Sequence, residues 1–520
     1  MSLVGDSVGC VPTREEDVHL AEWFASRRRI LFIIAAVSAI FWTVLYLQFT
    51  VDDALITFRY GWMLVTHHVW NWNPSGPRQE AYTSAVYAVL SILPPLLHLP
   101  TGMFFKCIGL FCIVAMVFRL GTAVSTQIAF VLGVLLIGLD PWVWVHAYSG
   151  LETPLYMLLL LELGLCVERA PTVSPRYVYA LFLLLPLTRP EGIVFAIAGV
   201  IAYWFKRREQ PKHLAYFVVA VVVGIAYFLA RWRYFHQLLP NPFYVKAVHT
   251  SAVIIVSNLV SNKGYLLTLL FLLVLARKAS TRFLAGCSLF LMLVLFVPHS
   301  MAMNFADRYY FQLTLPVLLL FLIAEDLARI SRLACVVSFV FLTAISVQDL
   351  PYLLLYAPYG MESHVYLARK LSPYAKNHTL LTGDAGAIPY FSDWVSYDFT
   401  GLCTSRIARH GLTLPFMREL HPDLILLYGQ VEGSKVIFQA PSPRLDAVQN
   451  VILDYIHQSG DYQLAGTSTW RDYALVEFLR NDTTQHAEIL QLLQANTRRT
   501  AAVRISLKDL LEQKYVPWTD

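Results

Sequence analysis

The chain has 520 residues, of which 57% are hydrophobic and only 14% are charged. Soluble globular proteins carry roughly 25% charged residues, so the composition excludes an ordinary soluble domain and predicts a protein that lies mostly in a lipid bilayer. The formal net charge of +5 is mild, and we expect no nucleic-acid partner.

Residues 1–29 are predicted to form a cytoplasmic tail. Met1–Glu22 is polar, and the apolar run that follows is longer than the core of a signal peptide, so we expect no cleavable signal. Arg27–Arg29 flank that run and place the N-terminus in the cytoplasm by the positive-inside rule. The seven cysteines lack the spacing of a zinc site, and only Cys403 lies in the polar C-terminal part, so no disulfide is expected there.

The first outer loop, residues 50–84, begins with two adjacent carboxylates, Asp52 and Asp53, directly after the apolar run Ile30–Phe49. A charge at membrane depth is expensive, so a pair there needs a reason. Apolar residues three and four positions apart predict a helix over Ala54–Trp70 with its apolar stripe in the lipid boundary. Two interpretations stay open: one aspartate caps this helix, or one is a catalytic group at the membrane surface.

Further apolar runs alternate with cationic positions and predict about eleven spans, with the N-terminus inside and the C-terminus outside. Residues 30–348 would then form the transmembrane module. The run Ala85–Leu99 is short and contains Pro94-Pro95, so we interpret it as a re-entrant or interfacial helix. The spans predicted after the first are Met103–Phe118, Ile128–Leu139, Leu155–Val167, Tyr177–Leu187, Ile193–Phe205, Leu214–Ala230, Ile254–Ala276, Phe283–Val297, Tyr309–Ile323 and Leu333–Val347.

Residues 349–520 regain charge and are predicted to form one soluble α/β domain outside the membrane. Leu380–Gly386 is typical of a strand that enters a tight turn, and Asp423–Tyr428 and Tyr473–Leu479 are further strand candidates. Arg444–His457 has a helical pattern. The chain has no internal repeat and no nucleotide-binding glycine motif, so nothing in it predicts the use of a nucleotide such as ATP or GTP.

On this topology almost every outer loop carries polar groups, on the same side of the membrane. Singly, each has a structural explanation: Glu191 after Pro190 suits the first turn of a helix, and Arg308 can snorkel at the interface. Together, carboxylates and cations on one side indicate an acid/base group beside an anion site. The groups are Asp52, Asp53, Arg59, His67, His68, Glu80, Asp140, His146, Glu152, Arg189, Glu191, Asn241, Tyr244, Lys246, Asp307, Arg308, Tyr309 and Tyr310.

The same loops carry an ordered set of motifs: Asp52–Tyr60, Asn73-Pro74, Glu80–Ser84, Ser149–Thr153, Thr188–Gly192, Asn241–Lys246, Arg308–Pro316 and Gly383–Ser392. In this order they resemble the bacterial branch of the GT-C glycosyltransferases that includes the mycobacterial terminal arabinofuranosyltransferases. The resemblance runs from Val51 to about Leu402. It implies a polytopic α-helical enzyme of the bacterial inner membrane, active in cell-envelope biogenesis. Such an enzyme takes a sugar, arabinofuranose or another pentose or hexose, from a polyprenyl-phosphate donor and attaches it to an extracytoplasmic glycan, lipid or protein.

This class of reaction assigns roles to the outer groups. The acceptor hydroxyl needs a base within hydrogen-bond reach, and Asp52 or Asp53 is placed for it. We favour Asp52 as the base and Asp53 as the residue next to the cap. If both carboxylates face one cavity, repulsion raises the pKa of one of them. Attack opposite the phosphate would invert the anomeric centre. Cations must hold the phosphate leaving group, and the candidates are Arg59, Arg189, Lys246 and Arg308.

The remaining polar motif residues are expected to bind substrate: Glu80, Tyr82, Glu152, Glu191, Asn241, Tyr244, Tyr309 and Asp384. No compact ligand motif appears, so we prefer a mechanism without a cofactor or metal over one in which acidic residues hold a divalent cation.

Three other classes stay open. The first is a ligase or polymerase of surface polysaccharide, which would need a lipid-diphosphate donor. The second is a transporter or flippase of lipid-linked sugars. The absence of an inverted repeat and the clustering of polar groups on one side argue against transport. The third is a scaffold whose function resides in the C-terminal part.

Overall fold

The structure is a computed structural model, and it describes residues 15–124, 126–170, 172–206, 212–246, 251–299, 304–325, 362–432, 435–438, 443–470 and 473–502. Within these ranges, helices build the part up to residue 325, and a sheet with surrounding helices builds the part from residue 362. The predicted last span, Leu333–Val347, lies outside the described residues.

The helices of the first part follow the predicted apolar runs closely. A π-helical turn, Met292–Phe296, continues the helix Ala279–Leu291, and a 3-10 turn, Phe305–Asp307, precedes the helix Arg308–Ala324. The helices are α1 (Glu15–Tyr46), α2 (Asp52–His67), α3 (Ala85–Leu90), α4 (Leu93–Leu96), α5 (Thr101–Ala123), α6 (Gln127–Leu139), α7 (Pro141–Tyr148), α8 (Thr153–Glu168), α9 (Pro175–Thr188), α10 (Gly192–Lys206), α11 (Lys212–Phe235), α12 (Asn241–Lys246), α13 (Ala252–Ser261), α14 (Lys263–Leu275), α15 (Ala279–Leu291) and α16 (Arg308–Ala324).

Several of these helices identify a multi-pass membrane protein. Five are long and apolar enough to cross a membrane, namely Ser26–Tyr46, Thr101–Ala123, His213–Phe235, Ala279–Phe296 and Phe305–Ala324. Two further pairs pass the same test jointly but are bent, α6 with α7 by 59° and α13 with α14 by 68°. The described ranges therefore contain five to seven candidate spans, and the larger total expected from the sequence stays a prediction.

Helix α16 occupies the centre of the helical part. In the most apolar stretch of α16, 94% of the residues are buried inside the protein, compared with 11% in the corresponding stretch of α11. Gly164 of α8 permits a close crossing, because a Cβ atom there would lie 2.4 Å from a methyl carbon of Leu320. The first residue of this buried helix is Arg308, so packing of α16 fixes a guanidinium at one end of the bundle.

The first outer loop contains the predicted helix, observed as α2 over Asp52–His67. The first part of its apolar stripe is covered by protein, whereas we expected the stripe to face lipid; further along, Trp62 and Val65 are half-buried. Phe58 stacks on Phe105 with ring centroids 4.3 Å apart, and Leu55 is only 2% exposed. The expectation was wrong because periodicity shows that one face of a helix is apolar, but not whether lipid or distant chain segments cover it.

The predicted interfacial segment Ala85–Leu99 forms the two short helices α3 and α4. It packs closely on α2: a Cβ atom at Gly61 would lie 1.9 Å from the carbonyl oxygen of Ser91, so only glycine fits there. The depth of this segment in the membrane stays a prediction.

The residues from 362 form a six-stranded sheet. The strands are β1 (Thr379–Thr382), β2 (Val395–Asp398), β3 (Leu424–Glu432), β4 (Lys435–Ile437), β5 (Tyr462–Trp470) and β6 (Tyr473–Arg480). Their order in the sheet is β2-β1-β3-β6-β5, with β4 paired to β3. Strand β1 is parallel to β2 and β3, whereas β6 is antiparallel to β3 and β5. The three strand candidates of the sequence appear as β1, β3 and β6.

Helices cover the sheet, and the predicted helix Arg444–His457 is found among them. The helices are α17 (Glu362–Leu371), α18 (Ala387–Ser392), α19 (Ser405–His410), α20 (Leu414–Leu420), α21 (Pro443–Ser459) and α22 (His486–Ala502). That residues 349–520 form a separate domain outside the membrane stays a prediction.

Polar contacts join the first outer loop to the sheet. The Arg59 guanidinium donates to the Trp394 carbonyl at 2.9 Å. The Asn73 amide donates to the Ser396 carbonyl at 2.8 Å and accepts from the Ser396 N–H at 3.0 Å, which matches a strand pairing at the edge of β2. Helix α2 therefore lies between the membrane bundle and the sheet.

Candidate active site

A cavity of about 160 Å³ lies at the end of the bundle where α2, α12, the π-helical turn and α16 meet. Both apolar and charged side chains line it, as expected for a site that receives an amphipathic ligand. The lining residues are Asp53, Ile56, Thr57, Ala81, Tyr82, Thr83, Leu151, Glu152, Arg189, Pro190, Glu191, Pro242, Phe243, Leu295, Phe296, His299, Arg308, Tyr309 and Leu402.

An ion pair between Asp53 and Arg308 stands in this cavity. The Arg308 Nη2 atom donates to Asp53 Oδ2 at 3.0 Å and to the Tyr309 hydroxyl at 3.0 Å. The side chain of Asp53 is 15% exposed and that of Arg308 is 6% exposed. Among the described residues, the Arg308 Nε atom is buried without a hydrogen-bond partner. A buried donor of this kind is costly unless a ligand satisfies it.

A strained turn presents Arg308. Ala306 and Asp307 have φ values of 51° and 50°, in the left-handed region that residues other than glycine rarely adopt. Each such residue costs of order 1–3 kcal/mol and persists only where its surroundings hold it. The Tyr265 hydroxyl holds Asp307 at 3.1 Å, and the Ala306 carbonyl contacts His146 Nε2 at 2.9 Å. The turn thereby fixes the direction in which α16 begins.

Arg189 forms the second charged group, between two glutamates. Its Nη1 atom donates to Glu152 at 2.7 Å and its Nε atom to Glu191 at 2.6 Å. Burial works against the charge on Arg189, but Glu191 and Glu152 outweigh it and raise the pKa of the guanidinium. The Gln312 amide, on α16, reaches Glu191 at 3.4 Å. Arg189 is therefore already neutralised by protein carboxylates.

Asp52 points away from the cavity, although it precedes Asp53. Its Oδ1 atom accepts from the Ala387 N–H at 2.7 Å and its Oδ2 atom from the Gly386 N–H at 3.0 Å. Burial, and then the charge of Asp384, raise the pKa of Asp52 to about 7. Of the two adjacent aspartates, only Asp53 lines the cavity, whereas from the sequence we favoured Asp52 as the base.

The capping interpretation of the pair also changes. The N-cap position of α2 is Val51, and no side chain caps the helix there. Asp52 instead accepts the first N–H groups of α18, a helix that lies more than three hundred residues further along the chain. The predicted repulsion between the two carboxylates is present, but Asp53 contributes the smallest of the causes that raise the pKa of Asp52.

Several predicted ligand-binding residues hold the loops together and are absent from the cavity lining. The Glu80 carboxylate binds the Arg231 guanidinium through two contacts of 2.6 Å, and Glu80 is 1% exposed. Arg59 is fully buried, and it donates to main-chain carbonyls rather than facing a phosphate site. Asn241 is also fully buried, with its Oδ1 atom 3.0 Å from the Ser405 hydroxyl. Arg59 and Asn241 are thus tied to the sheet part and Glu80 to α11, and none of the three lines the cavity.

Asp384 lies outside the cavity as well, in the turn after β1. Its Oδ2 atom is 3.0 Å from His364 Nε2 and accepts from the Tyr473 hydroxyl. Tyr244 is absent from the cavity lining, and the side chain of Lys246 lies outside the described part of the chain. The predicted residues that the structure does bring together are Asp53, Tyr82, Glu152, Arg189, Glu191, Arg308 and Tyr309.

The apolar and histidine side of the cavity was not predicted from the sequence. Leu295 and Phe296 belong to the π-helical turn, and Phe243 follows the Asn-Pro pair of α12. The His299 Nδ1 atom donates to the Leu295 carbonyl at 2.8 Å, so in the neutral ring Nε2 is an acceptor. The sequence signal that could have identified His299 as a site residue was its position just beyond the predicted span Phe283–Val297. A π-helical turn has no sequence signal of its own, although such turns are frequent at functional sites.

In the part of the chain that the structure describes, no three His, Cys, Asp or Glu side chains converge as metal ligands would. The cavity carboxylates Glu152 and Glu191 are instead bound to Arg189. That the protein works without a divalent cation stays a prediction of the sequence.

Comparison with known proteins adds the following. Residues 356–500 match a domain of unknown function, DUF8728. A search of curated protein sequences found no match. Two crystal structures of ArnT from Cupriavidus metallidurans, one bound to undecaprenyl phosphate and one in the apo state, superpose with TM-scores of 0.52 and 0.51 at 13% identity. Each superposition covers 87% of this chain and 98% of ArnT.

A cryo-EM structure of the arabinofuranosyltransferase AftD from Mycobacteria has a TM-score of 0.45 at 13% identity, over 88% of this chain and 40% of AftD. At such identities the likeness to ArnT concerns the fold, and it extends over nearly the whole of that protein. The resemblance expected from the sequence motifs is thereby confirmed at the level of the fold: the chain shares the fold of ArnT.

Proposed function

We propose that this protein is a membrane glycosyltransferase that moves a sugar from a polyprenyl-phosphate donor to a hydroxyl group of an acceptor outside the cytoplasm. The observation that carries the proposal is the pair of Asp53 and Arg308, 3.0 Å apart in one cavity at the end of a buried helix of a GT-C fold. A carboxylate beside a guanidinium supplies the base and the anion site that this reaction needs.

Arg308 is the proposed phosphate ligand. Its Nε atom has no partner among the described residues, and the residue is 5% exposed, so a phosphate oxygen there would satisfy a buried donor. Hydrogen bonds from guanidinium to phosphate are short and roughly twice as strong as neutral ones. The apolar side chains of Phe243, Leu295 and Phe296 line the same cavity and suit the isoprenoid carbons next to the phosphate.

Asp53 is the proposed general base. It takes the proton of the acceptor hydroxyl, the acceptor oxygen forms a bond to the anomeric carbon, and the bond from that carbon to the phosphate oxygen breaks. Polyprenyl phosphate leaves with the electron pair of the broken bond, and Arg308 stabilises its added negative charge. Because a phosphate is a good leaving group, it needs no proton. A single displacement of this kind inverts the anomeric centre.

The charges of the cavity favour a monophosphate donor over a diphosphate. Its described lining contains three carboxylates, Asp53, Glu152 and Glu191, and two guanidiniums. Arg189 is bound to two of those carboxylates, whereas Arg308 is bound to one, Asp53. Of the two guanidiniums in the described lining, Arg308 is therefore the one whose charge is less neutralised by protein carboxylates. One such cation matches the single charge of a phosphodiester, whereas a lipid diphosphate would bring excess negative charge next to the glutamates.

We assign the sugar to the polar side of the cavity. Tyr82, Tyr309, Glu152 and Glu191 all line the cavity. Carboxylates and phenols are the usual partners of sugar hydroxyls, since both accept and phenols also donate. We extend the proposal to a bacterial inner-membrane enzyme with a cytoplasmic N-terminus and an extracytoplasmic sheet part, acting on arabinofuranose or another pentose or hexose.

The proposal is tested with purified protein in nanodiscs, given synthetic undecaprenyl-phosphate arabinofuranose, mannose or glucose together with isolated cell-envelope glycan. Release of undecaprenyl phosphate and gain of sugar on the glycan are measured together. We expect transfer from one donor and its loss in Asp53→Asn, while Asp461→Asn, a substitution of a 52% exposed carboxylate, stays active. No transfer from any donor of a broad panel, or turnover of lipid-diphosphate oligosaccharides instead, would contradict it.

A further inference from the structure

The carboxylate of Asp52 joins the membrane part of the chain to the sheet. Both of its oxygens are used, one by the Ala387 N–H at 2.7 Å and one by the Gly386 N–H at 3.0 Å. Because helical residues are about 100° apart around the axis, Asp52 and Asp53 face different sides of α2. One faces the turn that begins α18, and the other faces the cavity.

The contact is close enough to restrict the residue opposite. A Cβ atom at Gly386 would lie 2.0 Å from the Asp52 carbonyl oxygen and 2.5 Å from its carboxyl carbon. Both atoms belong to the first turn of α2, so any side chain at Gly386 must displace that turn. The sequence motif Gly383–Ser392 therefore has a glycine, Gly386, at the position where its backbone lies against the first turn of α2.

The turn that Asp52 contacts is itself fixed to the sheet. The Asp384 N–H donates to the Thr382 hydroxyl at 3.2 Å, and the Asp384 carboxylate is held by His364 and Tyr473. These partners come from β1, α17 and β6. The sheet thus offers Asp52 an anchored pair of N–H donors.

The opposite side of the same turn of α2 is held by the bundle. The Val51 N–H donates to the Ser149 carbonyl at 3.0 Å. Gly150, with a φ of 82°, allows the chain to pass close to α2, since a Cβ atom there would lie 3.2 Å from the Cβ atom of Ala54. The residues that follow, Leu151 and Glu152, line the cavity. The start of α2 is therefore clamped between the cavity loop and the sheet.

We infer that Asp52 is a positioning residue, which ties the first turn of α2 to the Gly386-Ala387 turn and thereby holds Asp53 against Arg308. The inference rests on the proposed function for its catalytic consequence, and it assigns the sheet a part in the chemistry. Loss of the tie leaves Arg308 and the donor site in place but lets Asp53 move relative to the acceptor hydroxyl.

Two substitutions act on the tie from opposite sides. Asp52→Ala removes both acceptors, and Gly386→Ala forces the turn away from α2. Each is expected to lower kcat about 10- to 100-fold while the KM for the undecaprenyl-phosphate sugar changes little, because misplacement of a catalytic group by about 1 Å costs of that order. Gly286→Ala is the matched control, since its nearest neighbour would be a methyl carbon of Leu273 at 4.0 Å.

Hydrogen exchange of the whole protein in nanodiscs gives a readout that needs no substrate. Both substitutions should speed exchange in peptides that cover 52–58 and 384–392, with peptides of α16 unchanged. Unchanged exchange, or full activity of both variants, would overturn the inference while leaving the proposed function standing.

Other results separate the two claims. If Asp52→Ala is inactive, Gly386→Ala is normal and Asp53→Asn is active, then Asp52 is the base and the inference is wrong. If exchange responds as expected but Asp53→Asn transfers sugar normally, the tie exists and the proposed catalytic role of Asp53 fails.

Discussion

Replacing Arg308 by Gln should weaken the binding of undecaprenyl phosphate far more than that of undecaprenol. Arg308 is the first residue of the buried helix α16, and its Nε atom has no partner among the described residues. The substitution introduces a shorter, neutral amide, and it removes the charge and the fork of donors. Undecaprenol carries the same isoprenoid chain without the phosphate, so it isolates the contribution of the headgroup.

The size of the effect follows from the burial of the pair. Hydrogen bonds to charged groups contribute about 1.5–3 kcal/mol, and a tenfold change in affinity corresponds to about 1.4 kcal/mol, so Kd should rise about 10- to 150-fold. Because Arg308 is 5% exposed, salt should screen this contribution weakly. Arg308→Lys keeps the charge without the fork and should fall between wild type and Gln.

The assay is titration of lipid into nanodisc-embedded protein, followed by native mass spectrometry. Arg406→Gln serves as the matched control, because that side chain is 50% exposed and pairs with Glu419 on the sheet part. Equal loss of undecaprenol and undecaprenyl-phosphate binding would mean that the substitution damages the cavity as a whole. Unchanged affinity for undecaprenyl phosphate would refute the assignment of Arg308 as the phosphate ligand.

Three further outcomes are expected. Glu191→Gln frees Arg189 from one of its two carboxylates and should raise the affinity for undecaprenyl diphosphate relative to the monophosphate in the same titration; an unchanged ratio would contradict the charge argument. Glu80→Ala leaves a buried guanidinium unpaired and should lower stability by about 3–5 kcal/mol, measured by thermal unfolding with Glu419→Ala as the exposed control. Burial and Asp384 raise the pKa of Asp52 to about 7, with His364 opposing them and Asp53 adding a little. The pKa of Asp52 in the folded state lies above the unfolded value near 3.8. The stability that the protonated Asp52 side chain contributes is therefore fully present below about pH 4 and is lost as the pH rises through about 7. The difference in melting temperature between wild type and Asp52→Asn should therefore change between pH 5 and 8, and a constant difference would contradict the assignment.

The multi-pass helical fold could be predicted from the sequence because long apolar runs are local signals. Helix α2 was found from the spacing of its apolar residues, and β1, β3 and β6 from short apolar runs next to turn residues. Strands β2, β4 and β5 were missed: β2, Val395–Asp398, alternates apolar and polar residues over only four positions, and β4 has three residues. Strand β5, Tyr462–Trp470, has no continuous apolar run and contains a register shift between Leu464 and Gly466.

The candidate site could be predicted only in part, since the partners of its residues are distant in the sequence. Adjacent Asp52 and Asp53 look equivalent in the chain, and contacts with Gly386 and Arg308, each more than 250 residues away, distinguish them. Glu80 was assigned to substrate from its motif, and its partner Arg231, 151 residues further on, directly follows a predicted span and carries no motif of its own. Local motifs thus identified a set of polar residues, but they could not distinguish the residues that line the cavity from those that hold the loops together.

The most direct test of the account compares sugar transfer by Asp53→Asn and Asp52→Asn in one membrane assay, with the undecaprenyl-phosphate sugar that the wild type uses. Asn is close in size to Asp but cannot act as a base. The account predicts that Asp53→Asn loses transfer by at least about a hundredfold, in the range of general-base catalysis, while Asp52→Asn keeps a measurable fraction of it. Wild-type turnover by Asp53→Asn would contradict the central claim.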